Sequence, residues 1–143
     1  SYRRGVSPGM TAGFVWGVLY SLIGSAMRNF ITVAQFIFEY PFGFGFGGMG
    51  GLVANKIQPA IRQNSKTGTW YVVLGGIVAV ISRWFWHYWA GVFVWGMYAP
   101  EGQSPYLYSL IFNGTSVIIN IVYVGVVLGL LVKAAPKLFV PKA

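Results

Sequence analysis

The chain has 143 residues, no cysteine, and only 8% charged residues against 56% hydrophobic and 18% aromatic ones. Soluble domains carry about a quarter charged residues, so this composition argues against an ordinary water-soluble enzyme. Its hydrophobicity also excludes a disordered chain. The absence of cysteine excludes disulfides, thiolate metal ligands and thiol nucleophiles.

The basic character of the chain does not indicate a nucleic-acid partner. The formal charge of +8 comes from ten Lys and Arg residues and two acidic residues. Most of the basic residues stand in short gaps between long apolar runs, which is typical of membrane topology rather than of a phosphate-binding face. We therefore expect a lipid bilayer, and no nucleic acid, around this protein.

Four apolar stretches predict four membrane-spanning helices. They run from about Thr11 to Ala26, Pro41 to Ala54, Thr69 to Trp95 and Leu107 to Val132, and the second is longer if it starts at Phe36. A helix of about 20 residues crosses the hydrocarbon core, so the third and fourth stretches are long enough and the first two are marginal. Polar and turn-forming residues separate the stretches, for example at positions 64–68 and 99–105. The sequence therefore predicts an all-α, polytopic membrane bundle, formed by residues 1–143 as a single integral membrane domain.

The basic residues predict the orientation of this bundle. If the chain crosses four times, eight of them fall on one side, and Arg28 and Glu101 fall on the other. Cytoplasmic loops collect Lys and Arg, so we expect both ends of this chain to be cytoplasmic in a cell membrane. The eight residues are Arg3, Arg4, Lys56, Arg62, Lys66, Lys133, Lys137 and Lys142.

A β-barrel is the competing fold class, because residues 42–47 alternate Phe and Gly with a period of two. Barrels need many such segments, and the neighbouring stretches are continuous apolar runs. Glycines four residues apart also produce a smooth helix face for close packing. The spacing occurs at Gly43, Gly47 and Gly51, at Gly13 and Gly17, and at Gly125 and Gly129. We read these glycines as helix-packing residues.

The third stretch contains the most informative pattern. At 100° per residue, Trp84, Tyr88, Gly91 and Trp95 fall in one stripe, with His87 about 60° to one side. An interfacial aromatic belt lies at one depth, whereas this stripe would extend over about 16 Å of helix. Arg83 lies at mid-membrane on the same helix, where ionisable residues usually mark function. We expect Arg83 to pair with a carboxylate, for which Glu39 is the candidate, or with helix carbonyls.

Polar residues of the fourth stretch extend the candidate site. Asn113, Ser116 and Asn120 share one helix face, where interhelical hydrogen bonding and ligand contact are equally good interpretations. Tyr108 lies at the level of Trp95, and Trp16 could approach from the first helix.

Glu39 supplies a negative charge at the outer end of the second stretch. We expect its helix to begin at Pro41, since proline is tolerated in a first turn, which puts Glu39 and Tyr40 at the lip. Aromatic faces attract a cation, so the combination favours a small, flat, cationic heteroaromatic ligand. The sequence contains no P-loop motif, and its single histidine and two glutamates are too few for a metal site. We expect no metal, no cofactor and no catalytic residues.

Several blocks of the sequence resemble a known family. They closely resemble the thiamine-specific substrate-binding (S) component of energy-coupling factor (ECF) transporters. The specific blocks are Arg83-Trp84-Phe85-Trp86-His87-Tyr88-Trp89-Ala90-Gly91, Trp95-Gly96-Met97-Tyr98-Ala99-Pro100, and Tyr108-Ser109 with Asn113-Gly114. Others are Ala12-Gly13-Phe14-Val15-Trp16-Gly17, Phe38-Glu39-Tyr40 and Leu138-Phe139-Val140-Pro141-Lys142.

This resemblance implies high-affinity capture of thiamine from outside the cell. It also implies docking on an ECF transmembrane coupling protein and two ATPase subunits, which hydrolyse the ATP. The family fold has six helices, so we expect this chain to lack the N-terminal one or two. The positions that match the family's binding residues are Trp16, Glu39, Tyr40, His87, Trp95, Tyr108 and Asn113.

The resemblance implies a division of labour among these residues. Trp95 would stack on the ligand, Glu39 would supply charge and a hydrogen bond, and His87, Tyr108 and Asn113 would contact the aminopyrimidine. Two other functions compete. One is a membrane enzyme that uses Glu39 and His87 as an acid–base pair, and the other is a structural membrane protein without a ligand.

Overall fold

A computed structural model describes residues 1–23, 28, 30–63 and 66–140 of the chain. The last three residues of the first predicted span, the 64–65 part of the second breaker and Lys142 lie outside the described residues. Three long helices, α1 (Val6–Ile23), α5 (Lys66–Phe93) and α6 (Pro105–Ala134), form most of the bundle. Short 3₁₀ turns follow the last two, at Trp95–Tyr98 and Pro136–Phe139.

The three long helices have the length and composition of membrane spans. They contain 18, 28 and 30 residues, or about 27, 42 and 45 Å at the standard rise. Large apolar side chains along them face outwards, as in a bundle surrounded by lipid; Phe112, Ile118 and Tyr123 of α6 are each at least 65% exposed. The prediction of an all-α membrane bundle is confirmed.

The second predicted span is helical but is not one regular helix. A composite segment, Val33–Arg62, passes through α2 (Val33–Ile37), a π-helical stretch (Phe38–Phe42), α3 (Gly43–Phe46), a 3₁₀ stretch (Gly47–Val53) and α4 (Ala54–Arg62). Such changes of helix type accompany proline and glycine, because proline lacks an N–H and glycine lowers helix propensity.

The expectation that this helix begins at Pro41 is wrong. It begins eight residues earlier, where the Thr32 side-chain hydroxyl caps α2 by accepting the Gln35 backbone N–H at 3.1 Å. Pro41 lies inside the π-helical stretch, and the Gly43 N–H reaches back to the Phe38 carbonyl. This wider turn accommodates the proline within a continuing helix, so Glu39 lies inside the segment rather than at its lip.

Glycines bring α1 and the composite segment into backbone contact. A Cβ at Gly17 would overlap the Tyr40 carbonyl oxygen, and a Cβ at Gly13 would overlap that of Phe44. Gly17 thus contacts Tyr40 and Gly13 contacts Phe44, so the residue numbers run in opposite directions and the two elements are antiparallel. Gly13 and Gly17 therefore act as the spacing predicts, whereas Gly47 and Gly129 have no atom within 4 Å of a built Cβ.

The remaining elements continue the antiparallel order. Gly50 lies against Gly75 of α5, and further along α5 Gly91 lies against Ser109 at the start of α6. A buried cluster of Ile57, Val72, Val132 and Phe139 closes one end of the bundle. That end also carries seven of the described basic residues, whereas Arg28 follows the other end of α1. The seven are Arg3, Arg4, Lys56, Arg62, Lys66, Lys133 and Lys137.

Gly17→Ala is expected to destabilise the protein by about 1–3 kcal/mol, because the added methyl group must push two backbones apart. Thermal unfolding in detergent, followed by intrinsic tryptophan fluorescence, measures the change. Gly129→Ala is the matched control, since the same methyl group meets open space and alanine favours a helix by up to about 1 kcal/mol. Equal melting temperatures for the two variants would contradict the backbone contact.

Candidate ligand-binding site

A cavity of about 340 Å³ lies at the end of the bundle opposite these seven basic residues. The composite segment, α5, the turn after α5 and the start of α6 each contribute to its wall. The lining residues are Glu39, His87, Gly91, Trp95, Tyr108, Phe112 and Asn113. Five of these are sequence-predicted site residues, and the cavity has a ligand pocket's usual character, apolar with a few polar groups.

The Glu39 carboxylate is held by two neutral donors. The Trp95 indole N–H donates to Oε1, and the Gln35 side-chain amide donates to Oε2 at 3.0 Å. Gln35 is only 1% exposed, and its own carbonyl oxygen accepts the Ile31 N–H at 2.8 Å. Within the described part of the chain no Lys, Arg or His side chain forms an ion pair with Glu39. A half-buried negative group without a counterion favours a positively charged occupant.

Trp95 reaches Glu39 from outside the α5 helix. The predicted stripe assumed one continuous helix to Trp95, but α5 ends at Phe93 and Trp95 opens a separate 3₁₀ turn. On α5 the stripe therefore keeps Trp84, Tyr88 and Gly91 and loses Trp95. The Trp84 and Tyr88 ring centroids are 5.5 Å apart. The change of element lets the indole N–H point at the carboxylate.

Arg83 orients His87 rather than pairing with Glu39. The Arg83 Nε–H donates to His87 Nε2 at 3.2 Å, and the guanidinium lies 4.3 Å above the Phe44 ring. The expectation that Arg83 pairs with a carboxylate or with helix carbonyls is wrong. His87 stands one helical turn after Arg83, so its imidazole is within hydrogen-bonding distance of the guanidinium. An arginine can only donate, so Nε2 must accept and the neutral ring carries its proton on Nδ1.

Asn113 is tied to α5 through Ser109. The Asn113 side-chain amide donates to Ser109 Oγ at 3.1 Å, and that hydroxyl donates to the Tyr88 carbonyl at 2.7 Å. The other two polar residues of the face bond within α6, Ser116 to the Phe112 carbonyl and Asn120 to the Ser116 carbonyl. The hydrogen bond from this face of α6 to α5 is thus made by Ser109, which connects Asn113 to the Tyr88 carbonyl.

Trp16 and Tyr40 do not line this cavity. Trp16 is 53% exposed and packs on Tyr20, 6.1 Å between ring centroids. Tyr40 packs on Tyr20 and Phe36 at 6.2 and 5.9 Å. Tyr40 follows Glu39 directly in the π-helical stretch, where consecutive side chains point to different sides of the helix.

Sequence reasoning missed the two residues that hold the polar wall, Gln35 and Ser109. Each stands four residues before the residue it bonds, Glu39 and Asn113 respectively, which is the spacing of neighbours on one helix face. That spacing could have identified them. Phe112 was also missed; its ring is stacked on Tyr108, 6.2 Å between centroids.

A second cavity of about 450 Å³ adjoins the first and shares His87 and Asn113 as its wall. Arg83 brings a positive charge to it, whereas Glu39 brings a negative charge to the first cavity. Its remaining lining residues are Phe44, Gly47, Ala79, Val80, Trp84, Ser116, Val117, Asn120 and Val124.

Comparisons with known proteins place this geometry in a family. The model of the family described as "Thiamine transporter protein (Thia_YuaJ)" matches residues 1–140. The chain is 40% identical to "Thiamine transporter ThiT" of Lacticaseibacillus paracasei over 142 residues, which are 98% of this chain and 71% of that protein.

Two further relatives agree. "Thiamine transporter ThiT" of Bacillus subtilis is 27% identical over 139 residues, 96% of this chain and 71% of that protein. A solved structure of ThiT from Listeria monocytogenes superimposes with a TM-score of 0.89 at 32% identity, over 98% of this chain and 76% of that one.

The chain contains a single histidine, so its ring nitrogens can be assigned directly by ¹⁵N NMR. We expect Nδ1 to carry the proton and Nε2 to show the shift of an unprotonated, hydrogen-bonded nitrogen, because Arg83 can only donate. Arg83→Met should remove this preference, and Arg62→Met, at the opposite end of the bundle, should leave it intact. A proton on Nε2 in the unaltered protein would contradict the arrangement.

Proposed function

Because this chain belongs to the thiamine transporter protein family, we propose that its Glu39 cavity captures thiamine at the outer face of the cell membrane. In this proposal the chain is the substrate-specificity subunit of an ECF-type vitamin importer. The observation that carries it is the Glu39 carboxylate, which lies among aromatic rings and forms no ion pair in the described part of the chain.

The chemistry of thiamine complements that cavity. Its thiazolium ring is a flat cation, and its aminopyrimidine ring carries hydrogen-bond donors and acceptors. Glu39 neutralises the cation, and the Trp95 and Tyr108 rings supply faces that attract it. His87 offers an N–H, and Asn113 offers an amide, to the second ring. Of the seven residues named from the sequence, Trp16 and Tyr40 have no part in this scheme, because they pack on Tyr20.

The energy for import comes from partners in this proposal. The sequence has no P-loop motif for ATP, and in this proposal partner subunits hydrolyse the ATP. The partners we propose are an ECF transmembrane coupling protein and two ATPase subunits. The basic end of the bundle faces the cytoplasm, in keeping with the bias of Lys and Arg towards that side, and the cavity then opens outwards.

Thiamine should quench the intrinsic tryptophan fluorescence of the purified protein in a saturable way. Glu39→Gln should weaken binding by about 10- to 100-fold, as expected for a lost charge-assisted interaction of about 1.5–3 kcal/mol. Trp95→Ala should weaken it to a similar degree, because it removes both an aromatic face and a donor to Glu39. Titration of each variant with thiamine gives the affinities.

Two matched controls accompany this titration. Glu101→Gln removes the other carboxylate, which is exposed, and Trp70→Ala removes an indole that is 59% exposed on α5; both should bind as the unaltered protein does. Equal weakening by Glu39→Gln and Glu101→Gln would contradict the assignment of Glu39. Chemical analysis of the bound ligand should return intact thiamine, whereas a cleaved product would favour the membrane-enzyme alternative.

The absence of native cysteine allows a direct test of orientation. Glu101→Cys lies between α5 and α6 and Lys137→Cys follows α6, both at exposed positions. A membrane-impermeant maleimide added to intact cells should label position 101 and leave position 137 unlabelled until the cells are permeabilised. The reverse pattern would place the cavity on the cytoplasmic side and contradict capture from outside.

A further inference from the structure

Ser109 is a buried polar residue that touches the polar wall without lining the cavity. It has no exposed surface, and it stands in the first turns of α6 beside Gly91 of α5. Buried hydroxyl groups are normally hydrogen-bonded, and this one has partners on both sides, the Tyr88 carbonyl of α5 and the Asn113 amide of α6.

The hydrogen count at Ser109 fixes the orientation of the Asn113 amide. A serine hydroxyl carries one hydrogen, and Ser109 gives it to the Tyr88 carbonyl at 2.7 Å. The amide atom beside Ser109 Oγ, at 3.1 Å, must therefore be the donor, Nδ2. The amide oxygen Oδ1 is turned away from Ser109, and it accepts no hydrogen bond from the described residues.

Gly91 makes room for the two hydrogen bonds that link Asn113 to Ser109 and Ser109 to the Tyr88 carbonyl, which we call the relay. A Cβ at Gly91 would overlap Ser109 Oγ and would lie 2.8 Å from Asn113 Nδ2. No side chain larger than hydrogen fits between the two helices at this level. The same glycine lines the cavity, so the relay lies directly behind the cavity wall.

We propose that Ser109 is a positioning residue that makes the protein select a ligand with an amino group. Ser109 and the Tyr88 carbonyl hold the Asn113 amide with its oxygen available to the occupant, as an acceptor for an N–H. A ligand with a carbonyl oxygen at that point places this oxygen against Asn113 Oδ1, and two acceptors cannot form a hydrogen bond. A site built to bond one hydrogen-bonding group discriminates strongly against its reversed counterpart, because buried polar groups are then left unpaired.

This inference rests on the proposed function, since thiamine carries an amino group on its pyrimidine ring. Oxythiamine is the matched probe, because it has a carbonyl oxygen in place of that amino group and keeps the thiazolium cation. Charge recognition by Glu39 is then the same for both ligands. The ratio of their two affinities isolates the contribution of the amide orientation.

The experiment measures the dissociation constants of thiamine and oxythiamine for four proteins. The unaltered protein should prefer thiamine by about tenfold or more, the factor that about 1.4 kcal/mol supplies. Ser109→Ala frees the amide to turn over and present Nδ2, so this preference should fall at least threefold while thiamine still binds. Ser116→Ala is the control, since it deletes the same hydroxyl from α6 where it bonds only the Phe112 carbonyl; its preference should remain.

Asn113→Ala keeps the proposal falsifiable if Ser109→Ala does not fold. It removes the acceptor itself from a half-buried position, and it should abolish most of the preference. Retention of the full preference in Ser109→Ala or in Asn113→Ala would overturn the proposal, even though thiamine binds. An unaltered protein that binds neither ligand would instead refute the proposed function, so the two failures are distinguishable.

Discussion

The need to hold a carboxylate within an apolar bundle governs the arrangement of this site. An isolated ionised group is costly to bury unless donors or an opposite charge accompany it. The Gln35 amide and the Trp95 indole supply the donors for Glu39. Glu39 and Trp95 both lie on irregular backbone, Glu39 on a π-helical stretch and Trp95 on a 3₁₀ turn beyond the end of α5. The interruptions of the helices therefore coincide with the residues that form the negative end of the cavity.

Much of this architecture can be predicted from the sequence, since the length of an apolar stretch and the spacing of its glycines are both read within one helix. Gly13 and Gly17 pack as their spacing indicates, and five named residues, Glu39, His87, Trp95, Tyr108 and Asn113, line one cavity. The start of the second helix was misplaced, because the π-helical stretch accommodates Pro41 in the interior. The partner of Arg83 was also misplaced: periodicity places residues on a helix face but does not say which neighbour is within reach.

The His87 and Asn113 side chains have fixed donor and acceptor roles, because each is hydrogen-bonded to a residue on the side away from the cavity. Arg83 leaves His87 with a donor at Nδ1, and Ser109 leaves Asn113 with an acceptor at Oδ1. Preorganised groups recognise a ligand with little ordering cost. Helix-face spacing identifies such supporting residues only after the supported residue is known, which is why Gln35 and Ser109 escaped the sequence reasoning although each is one turn away from its partner.

The charge of Glu39 also bears on the electrical energetics of import. Moving one elementary charge through the full membrane potential changes its energy by about 2.3 kcal/mol per 100 mV. A bare monovalent vitamin that crosses the bilayer is subject to all of that work, whereas a carboxylate and its bound cation travelling together sum to zero. Arg83, whose guanidinium lines the adjoining cavity, moves with Glu39 if the bundle reorients. The charges of Arg83 and Glu39 cancel in the empty site, so its return is insensitive to voltage, and the bound cation makes the loaded movement the step on which the potential acts.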